Sequence, residues 1–167
     1  MVFQRLASRL ARAVEVAIGV MLGAILILAM GEIVSRYLTG HSLVWVDELG
    51  RLLFVWLTFL AAAAAFHHRM HFRVVLLWRA LTPRQRQRLE IAVDLIVLSF
   101  AVVLLVQSLH IIALTQVQRT TAMQIPMSYV YSVVPLSALL IIAFVLLRWA
   151  EAAQTGRLPD PAGTAHP

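Results

Sequence analysis

Polar and charged residues in this chain fall in clusters, and the clusters leave four long apolar stretches between them. The stretches run about 14–34, 46–66, 89–115 and 128–148. Crossing ~30 Å of hydrocarbon takes about 20 residues of helix, and each stretch reaches that length. No water satisfies backbone N–H and C=O groups inside a bilayer, so each stretch is predicted to be helical. The second is the least clean. Its uncharged part, Leu52 to Phe66, is too short to cross alone, so this helix is expected to take Glu48 and Arg51 into its first turns.

Local signals refine the four spans. Thr82–Pro83–Arg84–Gln85 places an N-cap threonine before a proline at the first helical position, with a glutamine three residues after the cap. The third helix is therefore expected to begin at Pro83, before the bilayer. Pro135 lacks an N–H and crowds the carbonyl of Tyr131, which predicts a kink in the fourth. Between helices two and three, Phe72 to Leu81 interleaves apolar residues with Arg73 and Arg79 and holds Trp78 near its end, the pattern of an interfacial segment lying along the headgroups. The first apolar run is too long for a signal-peptide core and no small-residue cleavage site follows it, so it reads as an uncleaved anchor. Residues 1–13 are expected to form a cytoplasmic tail, 14–151 the four-helix domain, and 152–167, rich in Pro, Gly and Ala, a disordered cytoplasmic tail.

Composition agrees with lipid as the solvent. The chain is 61% hydrophobic and only 13% charged, against roughly a quarter charged in a soluble domain. Its mean hydropathy is +0.85. No cysteine is present, which excludes disulfides, thiol catalysis and Cys-ligated metal. The net charge of +6 raises nucleic acid as a partner only until the positions are read. All 14 basic residues are arginine. Eleven fall on one side: Arg5, Arg9 and Arg12, then Arg69, Arg73, Arg79, Arg84, Arg86 and Arg88, then Arg148 and Arg157. Arg36, Arg51 and Arg119 fall on the other. Basic loops stay in the cytoplasm, so both termini and the middle loop are expected inside. The fold class is thus all-α integral membrane, four transmembrane helices, N-in and C-in.

Ionisable groups inside a membrane are the natural candidates for function. Glu32 and Arg36 are four apart in the favourable order and read as an ion pair at the outer end of helix one. Asp47, Glu48 and Arg51 open helix two. Glu48 and Arg51 are three apart and can pair, and the group can either cap the helix or dock another one. His67, His68 and His71 cluster at the inner end. His67 and His71 have the spacing of a metal or haem pair, but no carboxylate stands by to orient them, so the cluster reads as a polar cytoplasmic boundary. Asp94 reads as paired with basic groups at the same boundary, with Arg86 and Arg88 close in sequence. His110, with Gln107 and Ser108, is expected to hydrogen-bond between helices. Trp56 lies deep enough to pack against a neighbouring helix. Ala61 to Ala65 offers a surface that another helix can approach closely. No P-loop, nucleophile elbow or zinc-binding HExxH is present, and no acidic group stands at mid-span, so the residues point to an accessory membrane subunit, not an enzyme, with no cofactor.

The run Trp45–Val–Asp–Glu48–Leu–Gly–Arg51–Leu–Leu–Phe–Val–Trp56, the alanines after it, and His71–Phe–Arg–Val74 resemble the small membrane subunit of tripartite ATP-independent periplasmic (TRAP) transporters. Ile125–Pro126–Met127–Ser–Tyr–Val–Tyr131–Ser–Val–Val–Pro135 resembles the segment before that family's last helix. The likeness spans about residues 12–150. It implies a sodium-coupled importer of an organic acid or related solute in the bacterial inner membrane. It also implies two partners, a large multi-helix membrane subunit that carries the substrate and a periplasmic substrate-binding protein. On this resemblance Trp45, Glu48, Arg51 and Trp56 would serve subunit packing or binding-protein docking, and His71 and Asp94 the cytoplasmic boundary. No residue would bind substrate or metal.

Two other classes compete. A haem-bearing four-helix anchor of a redox enzyme needs axial histidines at one depth, whereas His110 is expected near the outer side and His67, His68 and His71 at the inner one. A small drug exporter needs a mid-membrane Glu in helix one, whereas Glu15 and Glu32 lie at its ends.

Overall fold

A computed structural model of the chain describes residues 2–67 and 82–155. Those residues form five helices: α1 (Val2–Thr39), α2 (Val44–His67), α3 (Pro83–Leu114), α4 (Met127–Tyr131) and α5 (Val133–Thr155). Four stretches are long and apolar enough to cross a membrane: Leu6–Thr39, Val44–Phe66, Arg88–Leu114, and Met127–Ala150, the last made of α4 and α5 together. The interfacial segment expected at 72–81 lies outside the described residues, as do His68, His71 and the tail beyond 155.

Helix ends follow local chemistry. α1 stops where Gly40 takes φ +70, a left-handed conformation that costs glycine nothing. The Gly40 N–H donates to Arg36 O at 3.1 Å, closing the last turn. α3 starts at Pro83 as its cap predicts. The Gln85 Oε1 accepts from the Thr82 N–H at 2.9 Å, which satisfies a donor that the helix cannot. The kink expected from Pro135 takes the form of a break at Ser132 between α4 and α5. Proline has no N–H to offer Tyr131 O, and the next bond, Leu136 N–H to Ser132 O, is stretched to 3.4 Å.

Two helices run past the apolar stretches. The 1–13 tail is helical from Val2, because no glycine or proline interrupts residues 2–18 and arginine, leucine and alanine favour helix. At the other end α5 continues to Thr155, past the boundary expected at 151.

α5 is the hub. It contacts α1, α2 and α3, while α1 packs most extensively on α2, and α3 most extensively on α5. The fourth span is accordingly the most buried and the first the least. A core of Val14, Leu60, Ala64 and Val133 joins α1, α2 and α5, with Ile18, Met21, Trp56 and Phe59 packed around it. Ala63, in the alanine run, is fully buried. Small side chains let backbones approach, and close packing rather than the hydrophobic effect drives association in lipid. α3 uses one narrow stripe, since its buried residues Asp94, Ala101 and Ser108 are seven apart. Its other faces expose Ile96, Phe100, Val103 and Val106.

Candidate functional site

The charged residues gather towards the two ends of the bundle, and each end is tied by one carboxylate. At the hairpin end, residues 115–126 connect α3 to α4. Arg119 and Pro126 pair as an isolated antiparallel bridge. Thr120 N–H donates to Ile125 O at 2.9 Å, and Ile125 N–H returns to Thr120 Oγ1 at 3.0 Å. Met127 N–H closes the base on Gln118 O at 2.8 Å. The turn inside this bridge holds one left-handed residue, Gln124 at φ 54, a conformation uncommon for a residue with a side chain. The Arg119 guanidinium steadies that position by donating to Gln124 O at 3.1 Å.

Glu48 enters this hairpin from the first turns of α2. Ala122 N–H donates to Glu48 Oε2 at 2.6 Å, and Met123 N–H to Glu48 Oε1 at 3.3 Å. The buried Thr120 hydroxyl is a further hydrogen-bonding neighbour of the carboxylate. Two consecutive backbone N–H groups converging on one anion form a nest, and bonds to a charged acceptor are the strong kind. Sequence spacing offered Arg51 as the partner of Glu48. Arg51 acts on Glu48 as a nearby positive charge, while the hydrogen bonds of the carboxylate run to the hairpin.

The remaining candidates of α2 separate. Asp47 lies in the first turn, where the helix dipole favours an acid. Trp45 is 46% exposed, whereas Trp56 packs against the Val14–Leu60–Ala64–Val133 core. Glu32 and Arg36 form the expected ion pair at the same end of α1, and the Ser42 hydroxyl reaches Glu32 Oε1 at 3.4 Å.

At the opposite end Asp94 is 2% exposed on α3. It pairs with Arg148 of α5 and accepts a hydrogen bond from Trp149 Nε1–H at 2.9 Å. The expectation of a basic partner holds, and the partner comes from another helix. The signal was present in Arg148–Trp149, which ends the fourth apolar stretch at the depth where Asp94 enters the third. The pairing expected of Ser108 and His110 differs more. Ser108 is buried but donates to Leu105 O of its own helix, and Gln107 and His110 are exposed. A serine hydroxyl reaches its own preceding turn at no cost, so it needs no partner across the interface.

Among the described residues no three His, Cys, Asp or Glu side chains converge as a metal site. A groove between α1 and α5 is lined by the apolar side chains of Leu6, Leu10, Ala143, Leu146, Leu147 and Ala150. Both clasping carboxylates, Glu48 and Asp94, are engaged within the bundle.

Comparison with known proteins agrees with that picture. Residues 25–155 match the family profile of tripartite ATP-independent periplasmic transporters, DctQ component. The isethionate TRAP transporter permease protein DctMQ of Oleidesulfovibrio alaskensis is 35% identical over 96 residues, covering 56% of this chain and 15% of that protein. A putative TRAP transporter small permease protein of Haemophilus influenzae is 31% identical over 93 residues, covering 56% of this chain and 58% of that protein. The chain thus spans less than two thirds of either relative.

Proposed function

The chain belongs to the DctQ family, the small permease component of TRAP transporters, and from that premise we infer that it is the scaffold subunit of an importer whose moving, substrate-carrying part is another protein. It is a multi-pass membrane subunit of a transporter. The observation that carries the scaffold role is that no ionisable side chain stands at the middle of any of the four spans. A carrier of charged solutes places binding groups and broken helices at mid-membrane, and here polar groups tie the ends instead.

The partners follow. A large membrane subunit would cover part of the apolar surface left exposed on α1 and α3. The relative named DctMQ supports this, since there the small-subunit likeness occupies 15% of a longer chain. A soluble binding protein would deliver the solute on the hairpin side. The Arg distribution supports a bacterial inner-membrane orientation with both termini and the 67–88 loop in the cytoplasm. That places Glu48 and the hairpin outside, and Asp94 at the cytoplasmic boundary. Trp45 and Arg51, both exposed on α2, then suit contact with a partner, while Trp56 holds α2 to its own bundle. The solute would be a small organic anion, the class to which the relative's isethionate belongs, driven by a sodium gradient held by the large subunit.

Co-expression of the three components tests this reading. The chain should co-purify with the large subunit, and uptake into proteoliposomes should require all three proteins and a sodium gradient. Uptake by this chain alone would overturn the scaffold role.

A further inference from the structure

The Glu48 carboxylate and the turn it binds are 74 residues apart in the chain, and each completes the other. Within the hairpin, the N–H groups of Thr120, Ile125 and Met127 already have acceptors in the hairpin itself. The N–H groups of Ala122 and Met123 take theirs from α2. Glu48 in turn lies in the opening turns of an apolar span, where a carboxylate needs donors, and its neighbour Arg51 does not supply them. Two incomplete segments therefore make one closed unit.

We propose that Glu48 is a positioning residue whose carboxylate fills the nest at Ala122 and Met123, so locking the 115–126 hairpin in one shape against the end of α2 instead of meeting a partner directly. The latch also gives α3 its hold on α2. α3 packs mainly on α5, and its far end is tied there through Asp94. The hairpin at its near end is carried to α2 by Glu48. A surface fixed before encounter loses less conformational freedom on contact. The part so fixed includes Val117, 91% exposed, and the exposed Arg119. The consequence for transport rests on the scaffold-subunit reading; the latch itself does not.

Hydrogen–deuterium exchange on the purified full chain in detergent tests it. Glu48→Ala should speed exchange in peptides spanning 116–126 by about tenfold, the loss expected for charge-assisted bonds to a partly exposed acceptor. Glu48→Gln, which keeps one carbonyl acceptor without the charge, should fall between. Ala122→Pro removes one nest N–H while leaving Glu48 intact and should loosen the same peptides. Exchange within 14–34 and 133–147 should stay at the wild-type rate in all three. In the reconstituted three-component system, Glu48→Ala should raise several-fold the binding-protein concentration giving half-maximal uptake, with recovery of the large subunit unchanged. Unaltered hairpin exchange overturns the proposal, and so does exchange that rises throughout the chain. Release of the large subunit with the hairpin still protected overturns it too, by placing Glu48 at the subunit interface. If the wild-type chain fails to bind a large subunit, the scaffold reading falls, and exchange on the chain alone still decides the latch.

Discussion

Asp94 is the residue whose removal should cost this molecule most. Its carboxylate is 2% exposed and the Arg148 side chain 18% exposed, so neither charge has much access to water. Replacing Asp94 with Ala takes a buried carboxylate from the Arg148 guanidinium between α3 and α5 and takes the acceptor from Trp149 Nε1–H. Breaking one side of a buried pair costs about 3 kcal/mol. The expected outcome is a large fall in thermal stability in detergent for Asp94→Ala. Trp149→Phe, which removes one neutral donor, should lose only about 0.6 kcal/mol, the average for a hydrogen bond between membrane helices. The double replacement Asp94→Leu with Arg148→Leu should recover much of the single-variant loss, since it removes both buried charges together. Thermal melts of the four proteins side by side check this, and equal losses for the single and double replacements would show that packing volume, not charge, holds this end.

The helices themselves were largely legible from the chain, and the joints between them were not. The capping run Thr82–Pro83–Gln85 marks the start of α3 because its physics is contained in four consecutive residues. Pro135 marks the break before α5 for the same reason. Glu48 showed only part of its surroundings in the sequence, because Arg51 is its charged neighbour along the chain, while its hydrogen-bond partners lie beyond α3 and are backbone N–H groups, which every sequence has and none advertises. Asp94 pointed to a basic partner, but the chain does not say that the partner is Arg148, 54 residues further on. Helix pairing can be read better where side-chain size encodes it. The run Ala61 to Ala65 implied a close neighbour, and Ala63 and Ala64 are buried while Ala62 is exposed. Ala63→Leu should therefore overpack the bundle and cost about 1–3 kcal/mol. Ala62→Leu, one residue away and facing out, should be close to neutral for the chain alone. Comparing their melting temperatures separates the packed face of α2 from the face left to lipid or a partner. A loss of large-subunit recovery with Ala62→Leu, without loss of stability, would place the partner on that exposed face.

At the scale of the molecule, the two carboxylate clasps lie at opposite ends of α3 and join it to different neighbours, α5 at one end and α2 at the other. A helix that packs by one stripe of Asp94, Ala101 and Ser108 has little else to set its register, and clasps at both ends supply it. Such a frame has a definite polarity, because the hairpin end is poor in arginine and the Asp94 end is rich in it. Basic loops resist translocation, so that asymmetry is expected to set the orientation in the membrane. The native chain contains no cysteine, so single introduced thiols report position without background. Ser42→Cys and Val117→Cys lie beyond the apolar spans at the hairpin end, and both positions are exposed. Thr82→Cys lies at the other end and is also exposed. In intact cells a membrane-impermeant maleimide able to cross the outer membrane should label Ser42→Cys and Val117→Cys, and should reach Thr82→Cys only after the inner membrane is permeabilised. The reverse pattern would turn the frame over, leaving the Glu48 latch in the cytoplasm and taking the hairpin away from any binding protein.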